Sequence, residues 1–230
     1  MIIGTGWHPR MFREEVRRIH GSFTPLHPRI LELEDWGKGP SWCSESTFLL
    51  RDAAILPMDE AEIPAFLDEW GSELNIQGTF AVRASKLGVG LPALSKRNVE
   101  HLVGDHFFRL GHSVNLVNPE TTIRVIMAGA PDRPQHLDSM DSYPLLVIGI
   151  DETYERPYLK RAMTSMPFFK PVTLDPKLAS LLISLAYQDR NPPDQIIDPF
   201  CGTGCISLQA RFRGITALSS DVDPIMVEGA

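Results

Sequence analysis

The chain has 230 residues, 43% of them hydrophobic and 22% charged, with a formal net charge of −7. That is ordinary globular composition, sized for one large domain or two small ones, and it excludes a disordered tail, a collagen-like fibre and a coiled coil. No apolar run approaches the ~18 residues a membrane helix needs, and Met1-Ile2-Ile3-Gly4 does not open a secretory signal. Three cysteines, Cys43, Cys201 and Cys205, are too few for a disulfide framework, so a reducing, cytoplasmic setting is expected.

The first stretch, 1–75, mixes helix and strand signals. Phe12, Val16 and Ile19 recur at helical spacing over 12–20, with Glu14 and Arg18 as an i,i+4 pair. The short apolar runs of 47–55 predict strand. Residues 59–70 predict a helix that places Ile63, Phe66, Leu67 and Trp70 on one face, with Pro64 in its first turn, where proline is tolerated. From 76 to 150 the pattern is clearer. Alternation over 79–85 predicts a strand. Residues 95–110 predict a helix capped by Ser95 and buried through Val99, Leu102, Val103, Phe107 and Leu110. Residues 113–117, 122–127 and 144–150 predict further strands, and this order makes an α+β region. Between Phe80 and Ala130 six basic residues face three acidic ones, so that stretch is +3 and the remainder −10. Residues 131–142 predict a loop, and 151–170, rich in proline, a linker. A helix is expected over 174–187, with Asp175 near its start and Leu178, Leu181, Leu182 and Leu185 inside.

The stretch from Gln195 is the most informative. Ile196 and Ile197 predict a buried parallel strand, Asp198-Pro199-Phe200-Cys201-Gly202-Thr203-Gly204 a loop, 205–213 a helix ended by Gly214, and 215–218 a second strand with Asp221 beyond it. This is half of a doubly wound sheet, in which ligands bind outside the carboxyl ends of the strands. Gly202 and Gly204 let backbone approach a ligand. Asp221, 23 residues after Asp198, is placed to accept the hydroxyls of a ribose. The loop departs from the dinucleotide fingerprint: Asp198 precedes the glycines, and Ser207 stands at the third glycine position. A carboxylate there would repel a pyrophosphate and suits a cationic ligand without phosphate, S-adenosylmethionine. Cys201 and Cys205 lack the further ligands a metal site requires, and the histidines form no ligand pair, so no metal is expected.

Asp198-Pro199-Phe200-Cys201-Gly202-Thr203-Gly204 resembles motif I of the class I S-adenosylmethionine-dependent methyltransferases that act on amino groups of nucleic acids. The stretch from Pro167 to Ala179 resembles motif X of the THUMP-domain tRNA methyltransferases, and the stretch from Asp221 to Ala230 resembles their motif II. Residues 79–127 resemble a THUMP domain. Within the family the likeness is strongest to the archaeal tRNA guanine-10 N2-methyltransferases. The resemblance implies a ferredoxin-like domain over 1–75, a THUMP RNA-binding domain over 76–150, and over 171–230 the start of a Rossmann-like methyltransferase domain. It implies methyl transfer to the exocyclic N2 of a guanine in tRNA, by a monomeric enzyme. The implied cofactor residues are Asp198, Pro199, Phe200, Cys201, Gly202, Thr203, Gly204, Asp221 and Thr173; the implied RNA contacts are Arg83, Lys86, Lys96 and Arg97. The family's (D/N)-P-P-Y motif does not occur in these 230 residues, so no catalytic residue is assigned. The expectation is a chain that stops inside the methyltransferase domain and is inactive alone. A THUMP methyltransferase for another tRNA position, another nucleic-acid amino-methylase and a non-catalytic RNA-binding adaptor stay open as alternatives.

Overall fold

The computed structural model describes residues 1–5, 8–35, 37, 43–89, 94–130, 144–152 and 168–229. The loop expected at 131–142, most of the 151–170 linker and Pro167 of the motif X stretch lie outside the described residues. The elements run β1 (Ile2–Thr5), α1 (Pro9–His20), β2 (Phe23–His27), β3 (Ile30–Leu33), β4 (Ser46–Leu56), α2 (Ile63–Ser72), β5 (Thr79–Leu87), α3 (Lys96–Arg109), β6 (Ser113–Val114), β7 (Thr121–Ala128), β8 (Leu145–Asp151), α4 (Pro176–Leu185), β9 (Gln195–Asp198), α5 (Cys205–Phe212), β10 (Thr216–Ser219) and α6 (Pro224–Gly229). The fold is mixed α/β. No helix among the described residues is long and apolar enough to cross a membrane.

Two compact units divide the chain. The first comprises Met1–Pro9, Thr24–Glu34 and Thr47–Thr153. Its frame is an eight-stranded sheet in the order β2-β3-β1-β4-β8-β7-β5-β6. The β1–β3, β4–β8 and β7–β8 pairs are antiparallel, while β5 runs parallel to both β6 and β7. Two-residue periodicity sorts the side chains between the faces. Ile123, Val125 and Met127 of β7 join Leu146, Ile148 and Ile150 of β8, Phe80 and Val82 of β5, and the buried stripe of α3 in one core. Ile126, Ala128, Leu145 and Val147 belong to the opposite core, with Ile2, Phe48 and Leu50. Because β8 is covered on both faces, it reads in sequence as an unbroken apolar run.

Several expectations hold in detail. The Ser95 hydroxyl caps α3 by accepting from Asn98 N at 3.0 Å, and Val99, Val103 and Phe107 are fully buried. Ile63 and Leu67 of α2 enter the core, with Phe66 and Trp70 packed against it. Two details differ. Leu110 is exposed, because the helix ends at Arg109 and the residue falls off its buried face. The strand expected over 113–117 stops at Val114, because Asn115 turns the chain: its Oδ1 accepts from Val117 N and Asn118 N, and its Nδ2 donates to the Asn118 carbonyl.

The second unit comprises Arg10–Phe23, Asp35–Ser46 and Tyr154–Ala230. Phe12, Val16 and Ile19 are buried along α1 as the spacing predicts. Beside them the fully buried Glu15 carboxylate accepts Ser44 N at 2.6 Å, Ser44 Oγ at 2.8 Å and Glu45 N at 2.9 Å. Burial raises the Glu15 carboxyl above its ordinary range, and those hydrogen bonds oppose the rise. Asp175 caps α4 by accepting from Lys177 N and Leu178 N, and Leu181 is buried as expected with Leu185 half-buried, but the buried face is turned away from the other two leucines. Leu178 and Leu182 are exposed, while Ala179, Ser180, Leu181, Ile183 and Ser184 are inside. The reason is Arg213, which donates to Ser180 O at 3.0 Å, Ser180 Oγ at 2.6 Å and Ser184 Oγ at 2.9 Å, so the small polar face of α4 is the satisfied one. β9 and β10 pair in parallel from Thr216↔Gln195 to Ser219↔Asp198. Ile197 and Leu218 lie exposed on this two-stranded ladder, which corrects the expectation of a buried strand.

Candidate cofactor-binding site

The parallel pairing of β9 with β10 brings Asp198 and Asp221 to the same end of the ladder. Ser220 N donates to the Asp198 carbonyl at 2.9 Å, and Cys201 N to the Ser220 carbonyl at 3.0 Å, so the loop after β9 continues the ladder before it turns. Asp198 is nearly buried and its Oδ1 accepts Phe200 N at 3.2 Å. The turn is closed by Gly204 N on the Cys201 carbonyl at 2.8 Å. Gly202 and Gly204 sit at φ +51° and +75°, in the left-handed region that glycine occupies without steric cost. A Cβ at Gly202 would meet nothing within 4 Å, so its missing side chain leaves open space beside the loop.

Asp221 holds this loop from the other strand. Its Oδ2 accepts Gly202 N at 2.9 Å and its Oδ1 accepts Asp223 N at 2.9 Å. These two N–H groups, Asp223 first, keep its carboxyl below the ordinary carboxylate range against the opposing effect of burial, and the Val222 N–H and Lys170 add to the lowering. A carboxylate has about four lone-pair sites, so some acceptor capacity remains beyond these bonds. The field in the loop is negative: the Cys201 thiol is raised by burial, then by Asp221 and Asp198. Burial likewise pushes the Cys205 thiol up to about 11, which makes both cysteines packing residues at neutral pH.

Thr203 and Thr173 are both buried, and Thr203 Oγ1 donates to Thr173 Oγ1 at 3.0 Å. Thr173 also accepts Lys170 N at 3.2 Å. The loop is therefore tied to the 170–173 turn through hydroxyls. Pro199 and Phe200 stand at the loop's outer edge, Phe200 almost fully exposed. Ser207, at the third glycine position, makes a close hydroxyl contact with Ser219 of β10, which fixes α5 on the ladder. Lys170 was not singled out from the sequence. The aromatic–lysine string of the motif X stretch was the available signal, and the Lys170 ammonium lies 5.4 Å from the Phe168 ring. The string nearest to the (D/N)-P-P-Y motif, Asn191-Pro192-Pro193-Asp194, has a carboxylate where that motif has its aromatic. It begins in the turn that pairs Gln188 with Asn191. No group of three or more metal-ligating side chains occurs among the described residues.

The expected RNA contacts are in the first unit, and the structure does not gather all four. Lys96 and Arg97 are exposed side by side in the first turn of α3. Arg83 and Lys86, three residues apart on β5, leave opposite faces of the strand. The Arg83 guanidinium is already occupied, donating to the carbonyls of Val82 and Leu116.

Residues 164–222 match a family of methyltransferase domains described as RMKL-like. The chain is 31% identical over 157 residues to a tRNA (guanine(10)-N2)-dimethyltransferase of Pyrococcus abyssi, an alignment covering 67% of this chain and 41% of that protein. It is 32% identical over 168 residues to the tRNA (guanine(10)-N2)-dimethyltransferase of Methanothermobacter thermautotrophicus, covering 71% and 45%. The chain thus spans less than half the length of these curated relatives. TrmN from Thermus thermophilus superposes with a TM-score of 0.57 at 22% identity, covering 99% of this chain and 67% of that one, a likeness of fold.

Proposed function

We propose, from the premise that 164–222 is a stretch of RMKL-like methyltransferase domain, that this chain belongs to an enzyme methylating the exocyclic N2 of a guanine in tRNA. Its curated relatives carry that activity in their names, with position 10 as the target, and the same position is proposed here. S-adenosylmethionine, the proposed cofactor, supplies a methyl group on a cationic sulfonium. The chain's part is to hold it. Asp221 accepts the ribose hydroxyls, Gly202 and Gly204 admit the ligand to the backbone, and the Thr203–Thr173 pair keeps the loop in shape. In the same reading 1–75 is ferredoxin-like, 76–150 is the THUMP region that meets tRNA phosphates, and the protein works in the cytoplasm.

The observation that carries the reading is the negative, phosphate-averse loop. Asp198 and Asp221 act on the same thiol, and Asp221 is anchored by two backbone N–H groups with acceptor capacity to spare. A dinucleotide or a nucleoside triphosphate would bring its own anions into that field. The test is calorimetric titration of the chain with S-adenosylmethionine and, separately, with NAD and ATP. Binding of the first alone is expected; preference for either phosphate-bearing ligand would overturn the assignment.

A further inference from the structure

The glycine loop is framed by two helices that start beside it. α4 begins at Pro176, just after Thr173, and α5 at Cys205, just after Thr203. The bond from Thr203 Oγ1 to Thr173 Oγ1, 3.0 Å, closes this end of the frame. Arg213, the residue that ends α5, closes the other. It donates to Ser184 Oγ at 2.9 Å, Ser180 O at 3.0 Å and Ser180 Oγ at 2.6 Å. Ser180 and Ser184 are one turn apart on one face of α4, so a single planar guanidinium spans both. Its carbon also lies 5.9 Å from the ring centre of the buried Tyr187. Between the two closures Ala179 and Ile183 of α4 and Gln209 and Ala210 of α5 are buried.

A third element reaches the same junction. Glu15 of α1 is fully buried and accepts Ser44 N, Ser44 Oγ and Glu45 N. After the Glu45 and Ser44 N–H groups, a hydrogen bond with the Ser184 hydroxyl further opposes the effect of burial on its carboxyl. Ser184 thus stands between the guanidinium of α5 and the carboxylate of α1. Burial pulls the Arg213 pKa down, and Tyr187 and then Glu15 hold it up. Glu45, also buried, pairs with Lys177 in the first turn of α4 at 3.1 Å. α1 lies in sequence between β1 and β2, and residues 35–46 between β3 and β4, yet both belong to the second unit.

We propose that Arg213 is a positioning residue for the cofactor loop: it fixes α5 on α4 so that Gly202 to Gly204 keep their ligand-ready shape, with Glu15 as its counter-charge. Buried charges of this kind add little stability over a well-packed apolar contact. What they supply here is one setting of α5, and therefore of the loop at its start. The inference rests on the reading of that loop as the cofactor site. It adds that the site is completed by a helix from far upstream in the sequence.

Two readouts on the full chain test it. The first needs no ligand: amide hydrogen exchange at Gly202 and Gly204, whose N–H groups are bonded to Asp221 and to the Cys201 carbonyl. The second is calorimetric titration with S-adenosylmethionine. Arg213→Met keeps the length of the side chain and removes its donors. It should speed exchange at both glycines and weaken binding by about three- to thirtyfold, the range of indirect coupling. Arg213→Lys should fall between it and the parent. Glu15→Gln should act in the same direction, and its combination with Arg213→Met should fall short of the sum, as for coupled partners. Ser184→Ala is the milder lesion that serves if Arg213→Met does not fold. Ile19→Val, on the buried face of α1, is the control: it should lower the unfolding midpoint and leave both readouts as in the parent. Glycine exchange unchanged in Arg213→Met and Ser184→Ala, or disturbed equally by Ile19→Val, makes Arg213 a stabilising residue only and overturns the proposal. A parent that does not bind S-adenosylmethionine, in a chain whose loop exchange still responds to Arg213→Met, overturns the cofactor reading and leaves the frame standing.

Discussion

Replacing Asp221 separates its two tasks. The carboxylate ties Gly202 to β10 through Oδ2 and starts the 221–223 turn through Oδ1, both at 2.9 Å. On the proposed reading its remaining lone pairs take the two ribose hydroxyls. Asp221→Ala loses all four bonds. Asp221→Asn keeps one acceptor oxygen and turns an NH2 toward either Gly202 N or Asp223 N, so half the anchoring is lost as well as the charge. Loss of charge-assisted hydrogen bonds of this kind corresponds to roughly a ten- to hundredfold weaker Kd for the alanine variant, with asparagine between it and the parent. Calorimetric titration with S-adenosylmethionine reads this directly. The pH dependence follows from the lowered pKa of Asp221. A depressed carboxyl keeps its charge throughout the neutral range, so its contribution is present above the ordinary carboxylate value and is lost only as pH falls through the lower folded value. Affinity should therefore be flat between pH 5 and 8. Unchanged affinity in Asp221→Ala, or a break in the parent's binding near pH 6, would refute the ribose assignment.

Two further outcomes concern stability. His27 is fully buried: its Nε2 donates to the Gly129 carbonyl at 2.9 Å and its Nδ1 accepts Arg29 N at 3.1 Å, an arrangement that requires the neutral ring. Burial lowers its pKa, so below about pH 6.5 the unfolded chain binds a proton that the folded one resists, and stability falls as pH drops through that window. His27→Gln should flatten this part of the denaturation-midpoint profile, and an identical slope in parent and variant would contradict the account. In Gly4→Ala the new methyl would run into the Phe48 ring, closer than real contacts allow. Overpacking of this kind costs about 1–3 kcal/mol, read as a lower urea midpoint with an unchanged slope.

The elements with a strong period were legible in the sequence. The stripes of α1 and α3, the cap at Ser95 and the alternation of β5 and β7 all depend on residues within a few positions of one another. What escaped was set by partners distant in sequence. Leu178 and Leu182 looked like core, but Arg213, about thirty residues on, satisfies Ser180 and Ser184 and turns that face of α4 inward. Arg83 was expected to meet RNA, yet its guanidinium reaches the Leu116 carbonyl, 33 residues away. The loop after β9 was readable as a loop because its geometry is local. Asp198, Gly202 and Gly204 lie within one turn, and a parallel strand of known length fixes where Asp221 must fall. The Thr203–Thr173 bond spans 30 residues, and it took a likeness to other sequences to bring Thr173 into view.

The two proposed ligands carry opposite charge, and the chain's charge is distributed to match. Residues 80–130 are +3 while the rest is −10, and the acidic loop lies in the second unit, apart in sequence from Lys96 and Arg97. A sulfonium needs a negative pocket and RNA needs positive contacts, so each would be weakened by sharing the other's field. This separation has a measurable consequence. RNA binding displaces counterions, with a slope of about 0.7 to 0.9 for each phosphate contact. With Arg83 engaged elsewhere, three of the expected cations are left, and a fourfold rise in salt from 50 to 200 mM should weaken RNA binding by roughly 20- to 40-fold. On the proposed reading the cofactor would meet the loop through short-range hydrogen bonds, well inside a Debye length of about 10 Å, so the same salt change should alter its affinity by about twofold or less. Charge reversal of Lys96 and Arg97 together should lower the RNA slope by roughly 1.4 to 1.8 and leave the cofactor titration as it was. If both ligands respond to salt alike, or if the reversal weakens the cofactor, the charges of the two units do not divide the work in this way.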